Sequence, residues 1–280
     1  MFNLRQFIWS NDVRKYSLAT ATTLLAILPE KLFENWITIN FQAFTPEINK
    51  SLQIASTRII FVVVIFVLLG IIFWGKCYFY GLSIPIRDSK LRVEYGDILK
   101  KHNCHRVIHF DECFTLTVGH RPQDIQPGSL CGQYLIKYPM SANELQELIS
   151  QSGIKPCTRN SRFSGWTRYK SGLIVSRNDD LLLAFARLDE NGNAWMTYEW
   201  YIECLKLFWK ELRKYCSYTD VCIPILGSGL THFDGHPYTQ QELLDIMISS
   251  YRLSPDKLEP HCTLRIICAP VDGFSLFDIG

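Results

Sequence analysis

One stretch of the chain is apolar at every position. Ile59 to Gly75, IIFVVVIFVLLGIIFWG, holds no ionisable group and is bounded by Arg58 and Lys76. At about 1.5 Å per residue it reaches roughly 26 Å, and continuing through Tyr80, with Lys76 stretching its ammonium to the interface, matches the ~30 Å hydrocarbon thickness. Its β-branched residues run all round the helix and it starts too far from the N-terminus for a signal sequence, so a transmembrane helix is expected over about 59–80. Trp74, Tyr78 and Tyr80 suit an aromatic belt at one end. A weaker apolar segment precedes it: Tyr16–Leu28 breaks at Pro29, Glu30, Lys31 and Glu34 and resumes through Trp36, Ile37, Ile39 and Phe41. As a first span, over about 16–41, it would complete a helical hairpin with its charges at the far interface, since a carboxylate at mid-bilayer costs several kcal/mol. As an amphipathic interfacial helix it would leave a single span.

Beyond Leu82 the pattern changes to alternating strands and helices. Leu91, Val93 and Tyr95 keep period two up to Gly96-Asp97, and Val107–Phe110 is a short apolar strand. Leu173–Val175 and Leu181–Phe185 read as strands on either side of the polar turn Arg177–Asp180, and Val221–Leu226 and Leu264–Cys268 read as two more. Helices are expected after Ser141-Ala-Asn-Glu144 and Thr239-Gln-Gln-Glu242, both with capping-box spacing, and over Thr197–Cys216, where Tyr201, Cys204, Leu205, Phe208 and Leu212 share a face. Apolar strands alternating with helices predict an α/β layered sandwich of roughly 190 residues. The division is expected at 1–86 for the transmembrane region and 87–280 for the soluble domain.

Composition narrows the partner only a little. Lys+Arg 29 against Asp+Glu 27 in 280 residues leaves a net charge of +2, with no basic surplus pointing to nucleic acid. Basic residues flank both outer ends of the apolar region (Arg5, Arg14 and Lys15; Lys76, Arg87, Lys90 and Arg92), which favours both termini in the cytosol. The 10 cysteines include no C-x-x-C, and several, such as Cys222 and Cys268, sit inside apolar runs as reduced, buried thiols would. His102, Cys104, His105, His109 and Cys113 cluster in sequence but match no common zinc spacing, and a strand through Val107–Phe110 would send alternate side chains to opposite faces. No metal is expected.

Ligand chemistry in such a fold belongs at the C-terminal ends of the strands, and three loops stand there. They are Tyr95-Gly-Asp-Ile98, the stretch from Phe110-Asp-Glu-Cys-Phe114 through Pro127-Gly-Ser-Leu-Cys-Gly132, and Pro224-Ile-Leu-Gly-Ser-Gly-Leu230. Glycines at such turns let backbone N–H groups point inward on an anion such as a diphosphate; each loop alone also reads as an ordinary tight turn.

In this order the loops resemble the macrodomain family, over about residues 90–272: Gly96-Asp97-Ile98 is similar to its early G-D-I element, and Leu226-Gly-Ser-Gly-Leu230 to its late glycine loop. Phe110–Phe114, Ser129-Leu-Cys-Gly132 and the apolar N-terminal region together resemble one branch, the macro-like membrane effectors of type II Thoeris anti-phage systems. The resemblance implies a three-layer αβα sandwich with a mixed sheet behind a transmembrane hairpin, in a bacterial cell membrane with the macro-like domain in the cytosol. It also implies an ADP-ribose-type nucleotide ligand with no other cofactor, a histidine-linked ADP-ribose made by a partner TIR-domain enzyme, and self-association that damages the lipid bilayer. Carried over by position, Asp97 would accept a hydrogen bond from the adenine amino group with Ile98 beside it. Gly227, Ser228, Gly229 and Leu230 would wrap the diphosphate, with Ser129 and Gly132 closing the other side. Asp111, Cys113 and Phe114 would border the distal ribose, where Asp111 replaces the asparagine of many macrodomains and weakens the case for hydrolysis. His232 and Phe233 are further candidates for that end. The expectation is therefore a ligand sensor and not an enzyme; the alternative is a membrane-tethered ADP-ribosyl hydrolase.

Overall fold

The computed structural model describes residues 11–27, 29, 31, 33, 46–86, 89–121, 123–216, 218–271, 274–276 and 279. They fall into two units that divide between Tyr80 and Gly81.

In the first unit α1 (Asn11–Ile27) packs against α2 (Pro46–Tyr80). Ala21, Thr57 and Phe33 are buried, and the Phe33 ring meets Phe61 edge-on at 5.4 Å with the Arg58 guanidinium 5.7 Å above it. Within α2, Ile48–Ile72 is long and apolar enough to cross a membrane. The side chains of that stretch mostly point outward, Ile59 and Ile72 being 65% and 67% exposed. The helix thus begins well before Ile59, because residues 46–58 contain nothing after Pro46 that breaks a helix, and proline is accepted in a first turn. Of the weaker 16–41 segment, the part after Ile27 lies largely outside the described residues; within α1 the apolar stretch is Leu18–Ile27.

The second unit is built on a nine-stranded mixed sheet of order β1-β2-β9-β7-β3-β5-β6-β8, with β4 also pairing with β5. The strands are β1 (Leu82–Ile86), β2 (Ser89–Tyr95), β3 (Cys104–Asp111), β4 (Ile174–Arg177), β5 (Asp180–Leu188), β6 (Ala194–Met196), β7 (Asp220–Pro224), β8 (His232–Phe233) and β9 (Thr263–Cys268). From β2 through β9, β7 and β3 to β5 the neighbours run parallel, so their C-terminal ends gather at one end of the sheet. The helices are α3 (Leu130–Lys137), α4 (Ala142–Ser152), α5 (Tyr198–Leu212) and α6 (Gln240–Leu253). Successive strand residues part to opposite faces: Val107, Leu183, Ile223 and Ile266 join α5 and α6, while Ile108, Leu182, Cys222 and Ile267 join α3 and α4. That division makes three layers, αβα, and explains why the central strands are apolar at nearly every position. Each large side chain buried this way, such as Phe208 or Leu182, is worth about 1.5–3 kcal/mol.

Three differences from the sequence expectation have simple causes. The domain starts at Gly81 and not at 87, because Leu82–Ile86 adds an antiparallel edge strand, where Pro85 is tolerated. Ser129 caps α3, in a stretch read as loop on account of Gly128 and Gly132. At α4 only half of the expected box forms: Ser141 Oγ accepts from Glu144 N–H, but the Glu144 carboxylate turns to Arg177 Nε at 2.8 Å. At α6 the Thr239–Glu242 box closes in both directions.

Candidate functional site

A cleft of about 1030 Å³ opens at the gathered C-terminal ends of the parallel strands. Gly96, Asp97 and Ile98 after β2, Ala269 after β9 and Ser228–Thr231 after β7 line it. So do His109 and Asp111 of β3, the start of α3, and Gly192–Ala194 together with His232, whose strand β8 pairs with β6.

Asp97 caps a short 3₁₀ turn, Ile98–Lys100, by accepting from Leu99 N–H at 2.9 Å, with Lys100 Nζ 3.5 Å from its other oxygen. The turn is anchored from behind: Lys101 Nζ and Arg265 Nη2 each lie 2.6 Å from Glu94 Oε1, and Arg92 Nε 3.0 Å from Oε2. Burial pushes the Glu94 carboxyl upward, but hydrogen bonds from Lys101 and Arg265 outweigh it and hold the pKa below the usual value.

After β7, Gly227 takes a left-handed φ of +85°, and a side chain there would meet the Phe233 ring at 2.9 Å. Ser228 folds back, its hydroxyl donating to Ile225 C=O at 2.8 Å. The amides of Gly229 and Leu230 have no backbone acceptor among the described residues, and nothing lies within 4 Å of the Cβ position at Gly229. Across the cleft, Ser129 Oγ accepts from Gly132 N–H at 3.0 Å. Leu130 and Cys131, the first two residues of α3, line the cleft, and residues so placed have no intrahelical acceptor for their N–H groups. The charged lining residues are Asp97, Asp111 and Asp124, with no lysine or arginine among the described ones; Asp124 is already held by Arg121 through two 2.9 Å bonds. An anion here would be met by backbone N–H groups and not by basic side chains.

On β3, His109 sits against the Phe185 ring at 5.8 Å, and its Nδ1 has no partner among the described residues. Burial holds its pKa down to about 4, so the ring is neutral near pH 7. Two residues on, burial raises the Asp111 carboxyl, partly offset by the Cys113 N–H bond at 2.8 Å and by Thr115. The cleft thus holds a neutral imidazole beside a carboxyl of raised pKa.

Of the residues singled out from sequence, Asp97, Ile98, Asp111, Ser129, Ser228, Gly229, Leu230 and His232 line this cleft; Cys113, Phe114, Gly132, Gly227 and Phe233 do not. Phe114 is buried in the α3–α4 layer between Phe110 and Tyr169 because the chain turns inward at its left-handed φ of 53°. Gly132 gives its N–H to Ser129, and a Cβ there would collide with Gln126 C=O. The Cys113 thiol, raised to about 12 chiefly by burial, has Ser161 and Arg168 as neighbours. Phe233 packs edge-on against Tyr201 and Tyr238. Sequence reasoning set His109 aside with the rejected zinc cluster, although it lies two residues before Asp111 at the same strand end. It passed over Gln133 and Gln240, for which no local signal exists.

The family described as "Thoeris protein ThsA, Macro domain" matches residues 91–269. The Thoeris protein ThsA of Bacillus amyloliquefaciens strain Y2 is 27% identical over 194 residues, covering 67% of this chain and 65% of that protein, so under two thirds of the relative's length is matched. Among solved structures, a point mutant of the Oceanobacillus iheyensis macrodomain aligns with a TM-score of 0.45 at 12% identity, over 70% of this chain and 93% of that one. The same macrodomain with ADP aligns with a TM-score of 0.43 at 13% identity, over 70% and 92%. The family match, running from within β2 to just past β9, shows that the chain belongs to the ThsA macro-domain family.

Proposed function

We propose that the chain is a membrane-anchored sensor that binds an ADP-ribose-type nucleotide in this cleft. The observation that carries the reading is the pairing of two amide-donor elements, the N-terminus of α3 and the Gly229–Leu230 turn, on one cleft with no lysine or arginine among its described lining residues. Such donors suit a diphosphate, whose charge the helix end and the turn amides can share. Asp97 Oδ2 would accept from the adenine amino group, and Asp111 with His109 would meet the distal ribose and whatever it carries. Family membership supports the rest: a partner TIR enzyme supplies a histidine-linked ADP-ribose in the bacterial cytosol, binding favours the assembled state of the chain, and assembly through the apolar N-terminal helices disrupts the cell membrane. A ligand shifts such an equilibrium only by its differential affinity for the assembled form. In detergent, saturating ligand should enlarge the full-length particle; an unchanged mass with ligand bound would sink the sensor.

One observation favours a second reading. A neutral His109 and an Asp111 carboxyl whose pKa burial raises share one cleft, and two titratable groups there are what acid–base hydrolysis would use. A membrane-tethered ADP-ribosyl hydrolase would turn over an ADP-ribosylated substrate and lose that turnover in Asp111→Asn. A flat time course with nucleotide still bound would count against it.

A further inference from the structure

Residues 153–173, between α4 and β4, contain no helix or strand beyond one isolated bridge between Pro156 and Tyr169. A connection this long in a compact domain usually has a task of its own. It is not a loose coil. Cys157 N–H donates to Arg168 C=O and Ser161 N–H to Trp166 C=O, both at 2.8 Å, and Ser164 and Gly165 turn the tip with left-handed φ values. The base is clamped on the buried Glu112, which accepts from Ser161 Oγ at 2.6 Å and pairs with Arg168 Nη1 at 3.1 Å. The result is a preformed finger.

Its chemistry is one-sided. Residues 155–170 hold Lys155, Arg159, Arg162, Arg168 and Lys170 and no acid. Arg168 is neutralised by Glu112; the other four are exposed and in no ion pair among the described residues. Trp166, 43% exposed, stands edge-on to Phe163 at the tip. On the adjoining β5–β6 turn, reached through Gly192 against Phe163, the Asp189 carboxylate is occupied by the Asn191 and Asn193 amides, leaving Glu190 as the exposed acid.

The finger's place in the fold gives this surface a direction. Glu112 follows the last residue of β3, so the finger stands at the C-terminal end of the parallel strands. Leu82, the first residue of β1, pairs with Val93 near the same end of β2, and the apolar helix finishes at Tyr80, two residues earlier. Within the domain, the finger and the start of β1 therefore lie at the same end of the sheet.

We propose that the 155–170 finger is a lipid-docking surface that seats on anionic phospholipid headgroups, with Trp166 in the interface. The inference rests on α2 being a membrane anchor. A basic group near an anionic surface gains about fivefold in local affinity, and an exposed Trp favours the headgroup level. Tethering makes the encounter intramolecular, so weak contacts suffice.

The test uses the full chain in vesicles of phosphatidylcholine alone or mixed with phosphatidylglycerol, following trypsin cleavage after Arg159 and Arg162. Cleavage should be several-fold slower in the anionic vesicles, recover at high salt, and recover in Lys155→Glu/Lys170→Glu and in Trp166→Ser, which alter exposed positions and keep both cleavage sites. Equal cleavage in both lipids, from chain that still resists alkaline extraction, would overturn the docking surface alone. Equal protection in both would assign the finger to a protein contact and overturn it as well. Chain released by alkaline extraction would remove the anchor, and this inference with it.

Discussion

After β2 and after β7 the lining residues follow one another in sequence, Gly96–Ile98 and Ser228–His232, whereas at the end of β3 the run His109–Asp111 lines the cleft and the next residues of the same motif, Glu112–Phe114, do not. There Phe110 borders both the cleft and the core, while Phe114 enters the core alone. The difference lies in the backbone. The first two segments are turns that leave the sheet and present consecutive residues to one space. The third is still a strand, with alternating faces, a bulge between Phe110 and Asp111, and a left-handed residue at Phe114. A motif read as a run of letters holds for turns; where a strand ends in a bulge and a left-handed residue, the letters beyond it leave the site.

The sharpest way to break this contrast is Phe114→Ala. Its ring is 1% exposed, and removing it should cost residues 81–280 about 3–5 kcal/mol in urea unfolding, with ligand affinity nearly unchanged. Lost affinity at unchanged stability would return Phe114 to the cleft wall. Next comes pH. The unfolded His109 takes a proton near pH 6.5 and the folded one only near 4, so its contribution is present above pH 6.5 and is lost as pH falls towards 4. The loss is at most about 3 kcal/mol, less because the ring borders an open cleft, and His109→Gln should flatten that part of the urea-midpoint profile. An unchanged profile would place the imidazole in solvent. Smallest is Gly227→Ala, which forces a side chain into a left-handed turn against Phe233 and should lower stability by about 1–2 kcal/mol. Gly229→Ala, with open space and no positive φ, should be near neutral by the same measurement.

Much of the domain was legible because its central strands are buried on both faces and so are apolar runs: Val107–Phe110, Leu181–Phe185 and Leu264–Cys268 all lie in strands. The short elements were not. Residues 194–196 and His232–Phe233 are strands only because a neighbour pairs with them, and Leu82–Ile86 carries a proline that argues against a strand unless it is known to be an edge. The helix at Leu130–Lys137 could have been found: Ser129 is a good N-cap, and Leu130, Cys131, Tyr134 and Leu135 repeat at helical spacing. In the cleft, the G-D-I and glycine-loop residues were visible as turn chemistry. His109 was hidden because a lone histidine on an apolar strand carries no signal until the strand end is known to border a cavity.

The central claim is that the cleft holds an ADP-ribose-type nucleotide with its diphosphate on backbone amides. Calorimetric titration of residues 81–280 with ADP-ribose, histidine-linked ADP-ribose and NAD tests it most directly, with Gly229→Glu as the cleaner control, since Asp97→Ala also removes a helix cap. The account predicts saturable binding of at least one derivative, weakened about a hundredfold or more in Gly229→Glu by a carboxylate set against the diphosphate, at unchanged melting temperature. No heat from the folded domain with any of the three, or undiminished binding in Gly229→Glu, would contradict it.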